Sequence, residues 1–395
     1  MAEHLKRRIG LPLLTAYGVG VMVGAGIYVL IGAVAAEAGV WAPLAFVFAG
    51  IVAAPTALSY GEFSARLPDA AGEAAFVAEG YSANWLGVIV GVAIVIAGTV
   101  SAAAVLRGGV GYLGALVDVA PAYLIIGLGL ALVGIAVLGA LESLSVAAVF
   151  TVIEIGGLAL VIWVGLTASP VAEMAAPPAP IWGGVAAGAL LAFFAFIGFE
   201  DIVNMAEEVR DPRRTMPRAI LLALMITSAI YALVAYAAVR VAPVGALAAS
   251  EQPLALVWET ALGRGADFLS VVAVFAALNG VLAQNVMAAR VLFGLGRRTA
   301  VFKGFHHAHP RFGTPVLATV LVGVCVILGA LLLPISTLAE VTSIVLLSVF
   351  VLVNGALILV KLRGGTGEGF TVPIAVPVLG CVLSLAALLT ALFAG

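Results

Sequence analysis

Two apolar stretches of this 395-residue chain carry residue types that could hold a small charged molecule. The first is Gly20-Val21-Met22-Val23-Gly24-Ala25-Gly26-Ile27-Tyr28. Glycine propagates helix poorly, at about 1 kcal/mol each against alanine. A helix interrupted there bares amides and carbonyls and the ends of two half-helices. Such groups suit a carboxylate at one pole and an ammonium group at the other. The second stretch is Phe193-Phe194-Ala195-Phe196-Ile197-Gly198-Phe199-Glu200-Asp201. Here Gly198 falls mid-run and two acids follow, as they do in the first turn of a departing half-helix. The competing reading of either stretch is a small-residue face that lets helices approach closely.

Other polar groups lie inside apolar runs. Glu154 sits in Phe150-Thr151-Val152-Ile153-Glu154-Ile155. A carboxyl at that depth costs several kcal/mol if charged and unpaired, so it faces protein and is a candidate for carrying a coupling proton. A structural hydrogen-bonding role is the alternative. Thr99 and Ser101 are weaker coupling candidates, because hydroxyls in a span usually bond their own backbone. Glu62 and Arg66 stand at helical spacing and read as an ion pair. His306, His307 and His309 have no further ligand cluster, so no metal site is expected. Cys325 and Cys381 lie in separate apolar runs and read as core residues.

The elements that must position these groups are membrane helices. The chain is 64% hydrophobic and 10% charged, against about 25% charged in a soluble domain. Its net charge of -2 offers nothing to nucleic acid. Apolar runs predict eleven spans, at about 11–35, 41–66, 84–112, 121–138, 145–168, 183–207, 217–240, 265–296, 315–333, 336–361 and 372–394. Residues of about 241–264 predict a short helix lying over one face. With the N-terminus inside, fifteen of the eighteen Lys and Arg fall on the inner side, which makes the N-terminus cytoplasmic. The whole chain reads as one transmembrane domain, 1–395. Its interrupted spans are the first and the sixth. Spans 1–5 (about 11–168) and 6–10 (about 183–361) are then matching halves that enter from opposite sides, with 372–394 additional. Interrupted segments at corresponding positions of an inverted repeat point to a transporter's midplane site.

At these residues the sequence resembles the amino acid–polyamine–organocation permeases, and among them the bacterial cationic-amino-acid-transporter-like group. The resemblance rests on Gly24-Ala25-Gly26-Ile27-Tyr28, Ser59-Tyr60-Gly61-Glu62-Phe63-Ser64-Ala65-Arg66-Leu67-Pro68 and Phe194-Ala195-Phe196-Ile197-Gly198-Phe199-Glu200. It continues through Glu207-Glu208-Val209-Arg210-Asp211-Pro212, Met216-Pro217-Arg218-Ala219-Ile220 and Ala289-Arg290-Val291-Leu292-Phe293. It implies an all-α polytopic protein with the leucine-transporter fold, a five-plus-five inverted repeat. It also implies an amino acid or amine substrate and no cofactor, with transport driven by a proton or substrate gradient across the cell membrane. By that pattern the Gly24, Ala25 and Gly26 amides take the carboxylate, and Ile27 beside them is a further substrate-binding candidate. Carbonyls near Val21, Met22 and Val23, and near Phe194, Ala195 and Ile197, take the ammonium group. Gly198 and Glu200 complete the second break, and Phe196 or Phe199 serves as an aromatic gate. Proton-coupled relatives carry a lysine in span 5, where this chain has Glu154. Relatives often have twelve spans.

A secondary transporter, as symporter or exchanger, is therefore the leading expectation. An integral-membrane enzyme would need a catalytic cluster at the surface, and only the histidine triplet gestures toward one. A channel would need a charged ring or a filter repeat.

Overall fold

The computed structural model describes residues 7–114, 116–250, 252–364 and 369–393, without the side chains at 25, 29, 140, 336, 339 and 393. Lys6, one of the basic residues that set the expected orientation, lies outside them. Every long element is a helix: α1 Leu11–Ala38, α2 Ala42–Arg66, α3 Glu73–Tyr81, α4 Asn84–Gly114, α5 Pro121–Leu138 and α6 Ala140–Thr167. They are followed by α7 Ala172–Ala175, α8 Trp182–Phe193, α9 Pro212–Val241, α10 Val244–Ala249 and α11 Pro253–Leu262. The last four are α12 Asp267–Arg298, α13 Val316–Leu332, α14 Ile335–Leu362 and α15 Ala375–Phe393. Between α8 and α9 the backbone runs as two 3-10 segments, Phe194–Phe196 and Glu200–Glu208. Among the described residues ten helical stretches are long and apolar enough to cross a membrane. The apolar α13, at 17 residues, adds an eleventh at the lower limit of spanning length.

Helix limits follow hydropathy closely, with two extensions. α6 starts at Ala140 rather than near 145, because Leu141 and Leu144 carry the apolar pattern back toward Gly139. α9 starts at Pro212 rather than near 217, since proline at a first helical position loses no hydrogen bond. The segment between α9 and α12 forms two short helices rather than one, and both pack on α1.

The packing pairs are orderly. α4 lies along α12, and α2 along α9. α1 packs on α9 as α8 packs on α2; α4 packs on α14 as α12 packs on α6; α4 packs on α13 as α12 packs on α5. Each partner in such a set is five spans from its counterpart. α15 closes against α14 and α2.

At the end of the bundle that carries the N-terminus, the chain is tied together by charge and backbone. Ile9 and Val209 form a short parallel bridge, in which Arg210 N–H donates to Ile9 C=O at 2.8 Å. Arg290 and Glu208 form a buried ion pair at 2.7 Å. Arg297 meets both Asp69 and Glu207. Glu62 pairs with Arg66 and also accepts from Lys361 at 2.9 Å and from Val372 N–H at 2.7 Å. One carboxylate thus joins α2, α14 and the segment leading into α15.

On the same end, α3 buries Glu73 completely, and neither of its carboxyl oxygens has a hydrogen-bond partner. Burial raises its pKa from 4.5 to about 8, and the neighbouring Glu200 pushes the same way. Between those two values the unfolded chain releases a proton that the folded chain keeps, so this group's contribution falls as pH rises through that window. Glu73→Gln removes the titration. The thermal midpoint of the detergent-purified variant should therefore fall less than that of the parent between about pH 5 and about pH 8. Equal losses in the two proteins would contradict this burial account.

Candidate functional site

The site begins where two helices stop being helices. In α1 the backbone leaves helical geometry at Gly24, with φ 4° and ψ -164°. In the sixth span the helix ends at Phe193, turns through Phe194–Phe196, and becomes extended at Ile197. Gly198 follows with φ 127°, a conformation that favours glycine. A Cβ on Gly198 would also come within 2.9 Å of Val21 Cγ1 and 3.3 Å of Met22 N, so the two breaks touch there.

Backbone released from a helix in an apolar interior needs new partners. Tyr231 of α9 supplies one to both breaks. Its buried hydroxyl lies 2.6 Å from Met22 C=O and 3.0 Å from Ala195 C=O, so its proton is shared between the two. Its ring is held edge-on by Phe46 and Phe196. On the second break, Gly198 N–H donates to the Glu200 carboxyl at 2.8 Å. Glu200 therefore satisfies the amide at the break just ahead of its own 3-10 segment.

Between the breaks lies a cavity of about 280 Å³. Val21, Met22, Gly24 and Gly26 of α1 form one wall, with Phe194, Ala195 and Ile197 beside them. A Cβ at Gly24 would meet nothing within 4 Å, so that backbone faces open space. The other walls come from Ser101, Ala104 and Val105 of α4, from Gly280 and Gln284 of α12, and from Thr342, Ser343 and Leu346 of α14. Of the expected residues, the structure thus brings together Val21, Met22, Gly24, Gly26, Ser101, Phe194, Ala195 and Ile197.

Others lie elsewhere. Val23 and Ile27 are buried on the helix side away from the cavity. The side chain of Ala25 is outside the described residues. Phe196 and Phe199 do not line the cavity. Phe196 packs on Tyr231, and Phe199 stacks on Phe350 with ring centroids 5.5 Å apart, since a side chain just beyond a break points back into the bundle. Phe194 is the ring that lines the cavity. Thr99 is two residues from Ser101 and so projects from another face of α4. It donates to its own Val95 C=O at 2.6 Å and borders a separate apolar cavity between α4 and α13.

Glu154 stands one layer back. It is fully buried, lines no part of the cavity, and neither carboxyl oxygen has a hydrogen-bond partner. One turn earlier on α6, Thr151 accepts from Asn279 of α12 at 3.0 Å and donates to Ala147 C=O at 2.9 Å. α1 presses on that pair at Gly20, where a Cβ would fall 2.0 Å from Thr151 Oγ. Gly20 is thus a close-approach glycine, whereas Gly24 and Gly198 are break glycines.

Sequence reasoning did not single out Tyr231, Thr342 or Ser343 as site residues. The signal for the α4 and α12 walls was present as small or polar residues at helical spacing, Ser101 and Ala104 and then Gly280 and Gln284, and α14 pairs a polar with an apolar residue, Thr342 and Leu346. Nothing in a single sequence says that those three faces meet.

Comparison with known proteins completes the description. A family profile described as "Amino acid permease" matches residues 9–395. The chain is 29% identical over 387 residues to the branched-chain amino acid permease BcaP of Bacillus subtilis, covering 91% of this chain and 82% of that one. It is 31% identical over 390 residues to the vacuolar cationic amino acid transporter 2 of Arabidopsis thaliana, covering 91% of this chain but 60% of the plant protein. It is 33% identical over 340 residues to an uncharacterized transporter of Mycobacterium tuberculosis, with 82% and 73% covered. The profile match runs from just before the first span, through both interrupted helices, to the end of the chain, and the chain therefore belongs to the amino acid permease family.

Proposed function

We propose that this protein is a secondary transporter that holds an amino acid at the two helix breaks and carries it across the cell membrane by alternating access, coupled to protons. The observation that carries this reading is the cavity between two breaks whose freed carbonyls share one tyrosine hydroxyl. The amides at Gly24, Ala25 and Gly26 head the second half of α1, where the helix dipole favours a carboxylate. Carbonyls at the end of the first half of α1 and at Phe194–Phe196 favour an ammonium group. A zwitterion matches both poles without any charged side chain. Relatives are named for branched-chain and for cationic amino acids, so their names leave the side chain open.

The five-plus-five inverted repeat is supported by the packing pairs, which repeat with an offset of five spans. A cytoplasmic N-terminus is supported by the basic residues gathered at that end, among them Arg66, Arg290, Arg297, Arg298 and Lys361. Opening toward that side requires separation of the Ile9–Val209 bridge and of the ion pairs around Asp69, Glu207 and Glu208. For coupling, Glu154 is fully buried one turn along α6 from the Thr151–Asn279 contact behind α1, a setting that suits a protonated carboxyl.

Two variants test the parts separately. Tyr231→Phe leaves both carbonyls without their shared donor while keeping the ring, and should weaken amino acid binding about tenfold or more, by analogy with the cost of a buried unsatisfied group. Parent-like affinity, read by equilibrium binding to the purified variant, would remove Tyr231 from the site. Glu154→Gln keeps size and hydrogen bonding but cannot titrate. It should still bind substrate yet lose accumulation driven by a pH gradient in proteoliposomes. Unchanged proton-driven accumulation would leave Glu154 with a structural role only.

A further inference from the structure

The buried acids Glu154, Glu200 and Asp201 all stay out of the cavity lining, and one of them is hydrogen-bonded by a side chain that does line it. Gln284 lines the cavity from α12 and donates its amide N–H to Asp201 Oδ2. Asp201 is buried behind it and does not line the cavity. The other end of the Gln284 amide faces α4 at Gly98, where a Cβ would come within 3.0 Å of Oε1. The amide is therefore clamped between α4 and the 3-10 segment Glu200–Glu208, and stands between the Asp201 carboxyl and the cavity. Glu200 is engaged by the Gly198 amide at 2.8 Å. Glu154 is fully buried and lines no part of the cavity. Beyond the broken backbone, the walls available to a substrate side chain are Val105, Ile197, Leu346 and Phe194, with hydroxyls at Ser101, Thr342 and Ser343. Among the described residues no acidic side chain lines the cavity. Its volume of about 280 Å³ falls below the range typical of drug-sized ligands and suits a small metabolite.

We infer that the cavity selects neutral amino acids with apolar side chains of about leucine size, and that Gln284 sets this selectivity by screening Asp201. The inference rests on the cavity being the amino acid site. A lysine side chain would place an ammonium group in a cavity whose described lining offers hydroxyls but no carboxylate counter-charge, which is disfavoured. A leucine side chain meets no such penalty and gains from leaving water. Removing the amide exposes the Asp201 carboxyl to the cavity and supplies the missing counter-charge.

The test is competition of L-lysine and L-leucine for binding to the purified full-length protein, with thermal stabilisation as a parallel readout. The parent should favour leucine over lysine by at least about tenfold. Gln284→Ala, and Gln284→Met with the volume kept, should gain at least about tenfold in lysine affinity. Adding Asp201→Asn should cancel that gain. Should either single variant not fold, the parent preference and the other variant decide. Lysine binding to the parent as tightly as leucine would overturn the inference while leaving the amino acid site intact. So would a gain in lysine affinity that survives Asp201→Asn, or parent lysine binding abolished by Glu154→Gln. Binding of neither amino acid would instead remove the amino acid reading of the cavity, and the selectivity argument with it.

Discussion

A backbone amide or carbonyl without a partner is costly in an apolar medium, and this chain leaves helical geometry twice in the middle of its bundle. The structure depends on how those groups are satisfied. Tyr231 answers for one carbonyl on each side, so the two breaks are held relative to each other by one proton. Glu200 answers for the Gly198 amide. What the protein leaves open at Gly24 and Gly26 faces the cavity. A molecule with a carboxylate and an ammonium group on one carbon is the natural complement of such unspent backbone.

The scaffold around the breaks keeps formal charge at a distance. Arg290 and Glu208 neutralise each other in the buried layer toward the N-terminal end, and the exposed Arg297 there bridges Asp69 and Glu207. Glu154 and Asp201 are one layer away from the cavity, the first unpartnered and the second under Gln284. Near the site the field is then dominated by half-helix dipoles and peptide groups, whose directions are fixed by the fold. The tie between Ile9 and Val209 at the N-terminal end joins the start of the first broken span to the end of the sixth. The elements that shape the cavity and those that close that end of the bundle are thus mechanically continuous.

Much of this was legible from residue types. Apolar run lengths located the helices, because a bilayer imposes a length and proline or charged residues mark the ends. Gly24 and Gly198 announced the breaks, since glycine in mid-span is either a contact or an interruption; the structure makes Gly20 the contact and the other two the interruptions. The rest depended on helix rotation and pairing. Thr99 and Ser101 look equivalent in sequence but point to different cavities. Phe196 and Phe199 flank the second break in sequence, yet their rings make aromatic contacts with Tyr231 and Phe350 and do not line the cavity. Tyr231 sits in an unremarkable apolar helix and matters only because α9 crosses both breaks at that residue. A single sequence specifies such crossings through many weak contacts, none of which is visible alone.

The central claim is that peptide groups at the two breaks, not charged side chains, hold the ends of the substrate. A structure of the protein with an amino acid bound tests it most directly. The account predicts density between the breaks, with the carboxylate about 2.7–3.2 Å from amide nitrogens at Gly24–Gly26 and the ammonium group at similar distance from carbonyls freed by the breaks. An amino acid whose carboxylate instead pairs with an arginine or lysine, or one bound outside this cavity, would contradict it.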